Sequence, residues 1–327
     1  MNILITGGAG YIGSHTIRAL LSDRPNYQLT VVDNFSTGHL AALPKDIDFH
    51  HMDIQDTKAL ESLLKKKNIQ AVIHFAASSL VGESMEKPLV YYQNNLQGTL
   101  CLLEAMVNCN VKHLVFSSTA AVYGSPTVYP ITEDSQTLPE NTYGATKLAM
   151  EQMIHWTGKA HNLTHVALRY FNAAGAHPSG DIGEAHYPET HLIPLVLQVA
   201  SGKREHISIF GDDYTTKDGT AIRDYIHVMD LAQAHILALD YLAQGGESLS
   251  LNLGNGVGFT VKEVIDTARL VTGHPIPANI APRRMGDPPI LLASSQKAMS
   301  TLSWKPQHAN LEEIIADAWR WHSNEKF

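Results

Sequence analysis

The sequence is poor in the residues on which secreted, membrane-spanning and nucleic-acid-binding chains depend. It has two cysteines in 327 residues, Cys101 and Cys109. Both fall within one expected helix, about two turns apart, so they cannot build a disulfide framework. They read as helix-packing thiols in a reducing compartment, and a cytoplasmic protein is expected. No run of about 20 apolar residues exists to span a bilayer, so no membrane contact is expected. The N-terminus, MNILITGG, lacks a charged segment before an apolar stretch and a small-residue cleavage site, so no signal peptide is expected. Lys and Arg total 24 against 32 Asp and Glu, a net charge of −8. That balance lacks the basic stripe of a nucleic-acid surface but leaves room for a small anionic ligand held by local arginines. There is no internal repeat and no low-complexity tract. Histidine, at 18, is plentiful but scattered. His161 and His165 have an i, i+4 spacing, yet they straddle an expected helix end and strand start. His50 and His51 would point to opposite faces of a strand. No metal site is expected.

What is present begins with 44% hydrophobic and 17% charged residues, enough for one large or two ordinary globular domains. Asn2 to Thr6 is a short β-branched run, followed at once by Gly7-Gly8-Ala9-Gly10-Tyr11-Ile12-Gly13 and an apolar helix pattern. Glycines at 7, 10 and 13 allow a tight turn, close approach of backbone to a pyrophosphate, and close helix–strand packing. The pyrophosphate then meets the amides of the helix N-terminus. A second strand, Gln28 to Val32, ends in Asp33, 20 residues after Gly13. An acid there binds a ribose diol and repels a 2′-phosphate, so NAD is expected rather than NADP. Strands at Asp48–Met52, Ala71–Phe75, His113–Phe116 and Thr164–Leu168 follow, alternating with helices that include Thr57–Lys67 and Pro88–Val107. Six strands in about 170 residues define an α/β fold with a doubly wound parallel sheet. Residues 1–172, with about 224–242 added, are expected to form a Rossmann NAD-binding domain. Residues 173–327 are expected to form a smaller, interleaved substrate domain.

The candidate chemistry lies in Tyr143-Gly144-Ala145-Thr146-Lys147, at the start of a helix. Residues four apart share a helix face, so the Lys147 ammonium is expected beside the Tyr143 phenol. An ordinary tyrosine has a pKa of about 10, and bringing it to about 7 requires about 4 kcal/mol in favour of the phenolate. A near cation and a positively charged cofactor ring are suitable partners, and the result is a general acid/base at neutral pH. The plain alternative for Tyr-x-x-x-Lys is a pair of surface residues. Ser117-Ser118-Thr119, at the carboxyl end of the fifth strand, adds hydroxyls where open α/β sheets place ligands.

At this point the chain resembles the extended short-chain dehydrogenase/reductases and, within them, the UDP-glucose 4-epimerases. GGAGYIGSH, HFAA with VGES and KP behind it, SSTAAVYG, YGATKL, RYFNAAGAHPSGDIGE, GTAIRDYIHVMDLA and NLGNGVGFTV carry the resemblance, which covers essentially the whole chain. It implies Thr119, Tyr143 and Lys147 as the catalytic set. It implies cofactor contacts from Gly7, Gly10, Tyr11, Ile12, Gly13, Asp33, Asn34, Asp53, Ile54, Phe75, Ala76, Ala77, Asn94 and Lys147. A UDP-sugar is implied at Asn172, His191, Arg223, Arg284, Asp287 and Leu291, together with Thr119 and Tyr143. The implied reaction takes a hydride from C4 of the sugar to NAD, turns the 4-keto sugar over, and returns hydride to the opposite face. A homodimer through helices near Pro88–Val107 and Tyr143–Lys159 is also implied. The chain departs from the family pattern in Ser78-Ser79, where a Lys can stand, in His191, where Asn is common, and in Thr119, where Ser is usual. Leu291 stands where hexose-restricted members tend to carry Tyr, which extends the expectation to UDP-GlcNAc and UDP-GalNAc. Nucleotide-sugar 4,6-dehydratases place Asp-Glu after the Thr, whereas this chain has Ala120 and Ala121. A UDP-glucuronate epimerase and a non-catalytic NAD sensor are the remaining alternatives.

Overall fold

Residues 3–5 set the architecture. Ile3 and Ile5 pack into one apolar cluster and Leu4, between them, into another on the opposite face. A strand covered on both faces must be apolar throughout, and period-2 alternation then divides its side chains between two helix layers. The computed structural model describes residues 1–284 and 287–327. Met285 and Gly286, in the segment between Arg284 and Asp287, lie outside the described residues.

The first half runs β1 (Asn2–Thr6), α1 (Tyr11–Asp23), β2 (Gln28–Asp33), β3 (Asp48–His51), α2 (Thr57–Lys66), β4 (Ala71–His74), α3 (Val81–Glu86), α4 (Pro88–Tyr91), α5 (Gly98–Asn108), β5 (His113–Thr119), α6 (Thr142–His161) and β6 (Thr164–Tyr170). The second comprises β7 (Asn172–Ala174), α7 (Leu192–Ala200), β8 (Ile207–Phe210), β9 (Ile222–His227), α8 (Val228–Ala243), β10 (Leu249–Leu253), β11 (Gly258–Thr260), α9 (Val261–Thr272), β12 (Ala278–Ala281), β13 (Ile290–Leu291), α10 (Gln296–Leu302) and α11 (Leu311–His322).

The large sheet has the order β10-β6-β5-β4-β1-β2-β3, and every pairing in it is parallel. The strand order reverses between β1 and β4, which opens a crevice at their carboxyl ends. One side of the sheet is covered by α1, α8 and α10, the other by α2, α5 and α6. Leu249–Leu253, expected in the substrate domain, is instead the seventh strand of this sheet, paired with β6. It forms the edge of that sheet, its leucines alternating with Ser250 and Asn252, and α8 returns the chain across α1 to reach that edge. After Tyr170 the chain leaves the large sheet, and at Asn172 it joins a small sheet in which β9 pairs with β7, β11 and β13. The apolar faces of α7, α9 and α11 form the core of this smaller lobe.

The single helix expected over Pro88–Val107 is interrupted by a π-helical turn over Tyr92–Gln97. Asn95 explains it. Its fully buried amide accepts from Ser78 N–H at 2.8 Å and donates to Thr146 Oγ1 at 3.0 Å. A regular helix must widen locally to aim that side chain inward.

Six histidines are buried among these elements, and burial weakens the basicity of four of them, His15, His74, His165 and His235. Burial lowers His15 and His74 to about 3 and His165 and His235 to about 4. The unfolded chain therefore binds protons that the fold refuses. Their contribution is complete above about pH 6.5 and is lost as pH falls toward 4, at about 1.4 kcal/mol per pH unit for each group. Asp224, held up at about 6 by burial, opposes this with a single group. Urea midpoints measured between pH 6 and 4 should fall steeply. A flat profile over that window would show that these rings are not held neutral.

Candidate active site

A cavity of about 560 Å³ lies in the crevice, between the large sheet and the smaller lobe. Gly10, in extended conformation, precedes α1 and supplies no side-chain cap. The first amides of α1 therefore lack intrahelical acceptors, at the positive end of the helix dipole. Gly7 has φ +71°, and a Cβ there would stand 2.5 Å from Ala76 N; one on Gly13 would stand 2.4 Å from Gly7 O. Gly10 differs. Its φ is −78°, and a Cβ would come no nearer than 3.4 Å, to Gly7 O. The protein's own packing leaves room at position 10, so the small residue serves whatever lies against the start of α1. Asp33 ends β2 with its carboxylate fixed by Ala9 N–H at 2.9 Å and Phe35 N–H at 2.8 Å. Beyond it Asn34 donates to Asp53 at 3.2 Å, with Ile54 buried alongside. Phe75, Ala76 and Ala77 follow β4, and Asn94 faces in from the π turn, donating to Ser78 Oγ at 3.0 Å. Tyr11 and Ile12 complete this wall, the Tyr11 phenol donating to Gly175 O at 2.6 Å.

The three candidate catalytic residues meet at the carboxyl end of β5. The Thr119 hydroxyl oxygen accepts from Ala121 N–H at 3.1 Å, starting one 3-10 turn over Ala120–Tyr123. Gly144 packs against that turn so closely that a Cβ would lie 2.5 Å from Ala121 O. This contact draws the first turn of α6, and with it Tyr143, up to Thr119. Asn141 caps α6 by accepting from Gly144 N–H at 2.8 Å, and Ser84 Oγ accepts from Tyr143 N–H at 3.1 Å. With one lone pair engaged by an amide, the Thr119 hydroxyl is set to donate toward the Tyr143 oxygen. Burial nevertheless dominates and pushes the Tyr143 phenol above its ordinary value, while Thr119 pulls it down.

Lys147 gains a partner that helical spacing does not reveal. Its Nζ donates to Ser117 O at 2.8 Å and lies 6.0 Å from the Tyr143 ring centroid. Burial lowers the ammonium to about 7, and Glu151, one turn further along α6, opposes that shift. Glu151 in turn holds Arg169 through two contacts of 2.9 and 2.6 Å.

Toward the smaller lobe the wall contains Asn172, His191, Asp287 and Leu291. Arg223 and Arg284, expected to face a diphosphate, are not in it. The Arg223 guanidinium is paired with Asp287, and that of Arg284 lies 3.9 Å from the centre of the Phe210 ring. Leu291 is half-buried, reaching the cavity while packing with Ala120, Val122, Tyr123 and Phe171. Sequence reasoning missed Glu184 and His186, which share the wall with His191. The signal was the spacing Glu184-x-His186-x-x-Glu189-x-His191, in the long loop between β7 and α7.

A family model described as GDP-mannose 4,6 dehydratase matches residues 4–318. The UDP-glucose 4-epimerase of Halalkalibacterium halodurans is 58% identical over 322 residues, covering 98% of this chain and 96% of that protein. The crystal structure of a UDP-glucose 4-epimerase superposes with a TM-score of 0.97 at 56% identity, covering 99% of this chain and 98% of that one. The chain belongs to the UDP-glucose 4-epimerase family. A further member, from Bifidobacterium longum, was crystallised with NAD+ and UDP; it has a TM-score of 0.93 at 39% identity and covers 99% of each chain. The breadth of the family model also takes in dehydratases, but here Ala120 and Ala121 follow Thr119 in the 3-10 turn, so no carboxylate stands at those two positions.

The glycine geometry separates packing from ligand space. Gly7→Ala should cost at least about 2 kcal/mol through a positive φ and a backbone clash, while Gly10→Ala should stay within about 1 kcal/mol of wild type. Urea denaturation of the nucleotide-free variants measures both, and equal losses would contradict the distinction.

Proposed function

We propose that this protein interconverts UDP-glucose and UDP-galactose at C4 with tightly bound NAD. The observation that carries this reading is that Thr119, Tyr143 and Lys147 open onto the same cavity as the glycine turn and Asp33. The fit to NAD rests on the room left at Gly10, the free amides of α1 and the fixed Asp33 carboxylate. Gly7, Gly13, Tyr11 and Ile12 would cradle the pyrophosphate, and Asp33 the ribose diol, which disfavours a 2′-phosphate. Asn34, Asp53 and Ile54 would border the adenine end, and Phe75, Ala76, Ala77, Asn94 and Lys147 the remainder. When bound, NAD supplies the hydride acceptor for C4 and a positively charged ring whose field favours the Tyr143 phenolate.

Tyr143 takes the proton of the sugar 4-hydroxyl and gives it back when the configuration is reset. Thr119 donates to the Tyr143 oxygen and so steadies the phenolate between those two transfers. Lys147, fixed by Ser117 O, sets the floor of the site. The UDP-sugar lies along Asn172, His191, Asp287 and Leu291. Arg223 acts there through its partner Asp287, and Arg284 holds the diphosphate only by leaving the Phe210 ring. Tyr143→Phe should keep the fold and bound NAD while lowering turnover of UDP-galactose at least about 100-fold. Turnover within a few-fold of wild type would remove Tyr143 from the mechanism.

The same pocket supports a wider substrate range. Leucine at 291 leaves free the space of the outer tyrosine ring, about what an acetamido group needs. Conversion of UDP-GlcNAc and UDP-GalNAc follows. Filling that space typically costs about 1–3 kcal/mol, or about 5- to 150-fold. Leu291→Tyr should therefore depress the acetylated reaction by a factor in that range and spare the plain one. A wild-type enzyme that turns over UDP-galactose but not UDP-GlcNAc would refute this.

We also propose a cytoplasmic homodimer serving galactose metabolism. Two free thiols suit a reducing compartment. Leu89, Val90 and Leu100 on α4 and α5, and Trp156 on α6, are exposed, Leu89 to 80% and Trp156 to 65%. A cluster of this kind marks an interaction surface. Sedimentation should give a dimer that Trp156→Lys weakens; a wild-type monomer at micromolar concentration would exclude it.

A further inference from the structure

The loop between β7 and α7 gathers four side chains that no step of the epimerase reading requires as a group. They are Glu184, His186, Glu189 and His191, whose ligand atoms all lie within 4.8 Å of one another. His186 Nδ1 is 3.3 Å from Glu184 and 3.6 Å from Glu189; His191 Nδ1 is 2.6 Å from Glu184 and 3.4 Å from Glu189. Oxygen and nitrogen ligands about 2.1 Å from a zinc-class cation in a tetrahedron lie about 3.4 Å from one another. Three of these four spacings have that length, and the fourth is shorter.

Each imidazole reaches both carboxylates through one nitrogen, Nδ1, and a single N–H cannot serve both. Both Nδ1 atoms are buried, and neither has a partner in hydrogen-bonding geometry although carboxylate oxygens are in reach. The side chains of Glu184 and Glu189 are only 4% and 5% exposed, so two carboxylates face each other with little water between them. Such a pair needs positive charge in its midst. Glu189 is oriented from behind by Thr190 N–H at 2.6 Å and His191 N–H at 2.8 Å, the outer support that ligating carboxylates receive. The imidazoles leave access, with His186 and His191 side chains 21% and 44% exposed.

We propose that Glu184, His186, Glu189 and His191 bind one divalent cation of the zinc class in a four-coordinate site at the cavity wall. Two imidazoles and two carboxylates in a tetrahedral array suit zinc better than the all-oxygen, higher-coordinate sites of calcium or magnesium. The cation fixes the loop that Glu184 O already ties to Trp321 Nε1 of α11 at 3.0 Å. It also offsets acidic charge in a wall that receives an anionic ligand. This site goes beyond the epimerase reading and shares His191 with the sugar wall that reading assigns; cobalt binding is read without substrate, so its failure leaves that reading untouched.

The test uses the full chain, purified without a metal-affinity step, stripped with a chelator, and titrated with cobalt(II) chloride. The expected result is saturation at about one cobalt per chain, with the intense visible bands of four-coordinate cobalt, which zinc then displaces. His186→Gln, at a partly exposed position, should stay folded by circular dichroism and weaken cobalt binding about 100-fold or more. Should that variant not fold, the wild-type spectrum and its displacement by zinc decide alone. Only the faint absorption of six-coordinate cobalt in wild type would overturn the proposal. So would equal affinity in the folded variant, leaving the two imidazoles to neutralise the carboxylates as cations themselves.

Discussion

The buried pair between Glu151 on α6 and Arg169 on β6 is the interaction on which the tyrosine end of the cavity depends. Both side chains are less than 10% exposed, and their two contacts are joined by the Ser118 hydroxyl on Glu151 and the Tyr123 hydroxyl on Arg169 at 2.8 Å. Tyr123 passes the chain on to Asn252 of β10 at 2.7 Å. Four elements of the large sheet and its helix layer are thus pinned by one polar network. Breaking such a pair by deleting one partner typically costs about 3–5 kcal/mol, because the other charge stays buried. The roll of α6 about its axis is therefore fixed, and Lys147 and Tyr143 are Glu151's neighbours one and two turns back on that helix.

Backbone proximity does the rest. Gly144 against Ala121 sets how near the phenol comes to Thr119, and Gly7 against Ala76 sets the width of the crevice at the switch between β1 and β4. These contacts make the site a consequence of packing rather than of flexible loops. The smaller lobe begins at Asn172, two residues after β6 of the large sheet ends at Tyr170, so the sugar side of the cavity is set by β7 and β9. The UDP-glucose 4-epimerase family then supplies the chemical frame in which Thr119, Tyr143 and Lys147 are read.

Electrostatics in the site differ from a simple pairing of opposite charges. Lys147 loses basicity on burial and spends its strongest contact on the Ser117 carbonyl, while Tyr143 is raised by the same burial. The protein thus holds an acid and a base in reserve, both responsive to any charge that enters the cavity. The acidic and histidine-rich wall at Glu184 and His191 belongs to the same pattern, with opposing charges brought close and left to be balanced.

The sequence by itself determined the parallel sheet, because its interior strands are short apolar runs at regular spacing and the glycine turn and Asp33 fall at fixed distances from them. The cofactor contacts that the family resemblance implies all line the cavity, many of them at the carboxyl ends of strands, with Tyr11, Ile12 and Gly13 from α1, Asn94 from the π turn and Lys147 from α6. Only the tertiary structure decided the rest. Leu249–Leu253 carries no mark of which sheet it joins; that follows from α8 returning across α1. The π turn at Tyr92–Gln97 depends on where Ser78 and Thr146 come to lie around Asn95. Helical spacing put Lys147 one turn from Tyr143, and only the folded chain adds the Ser117 carbonyl, 30 residues away, as the partner of its ammonium. Arg223 pairs with Asp287 of the cavity wall and Arg284 lies over Phe210 for the same reason: a long charged side chain goes to whichever partner the folded chain brings within reach, and spacing along the sequence does not encode that.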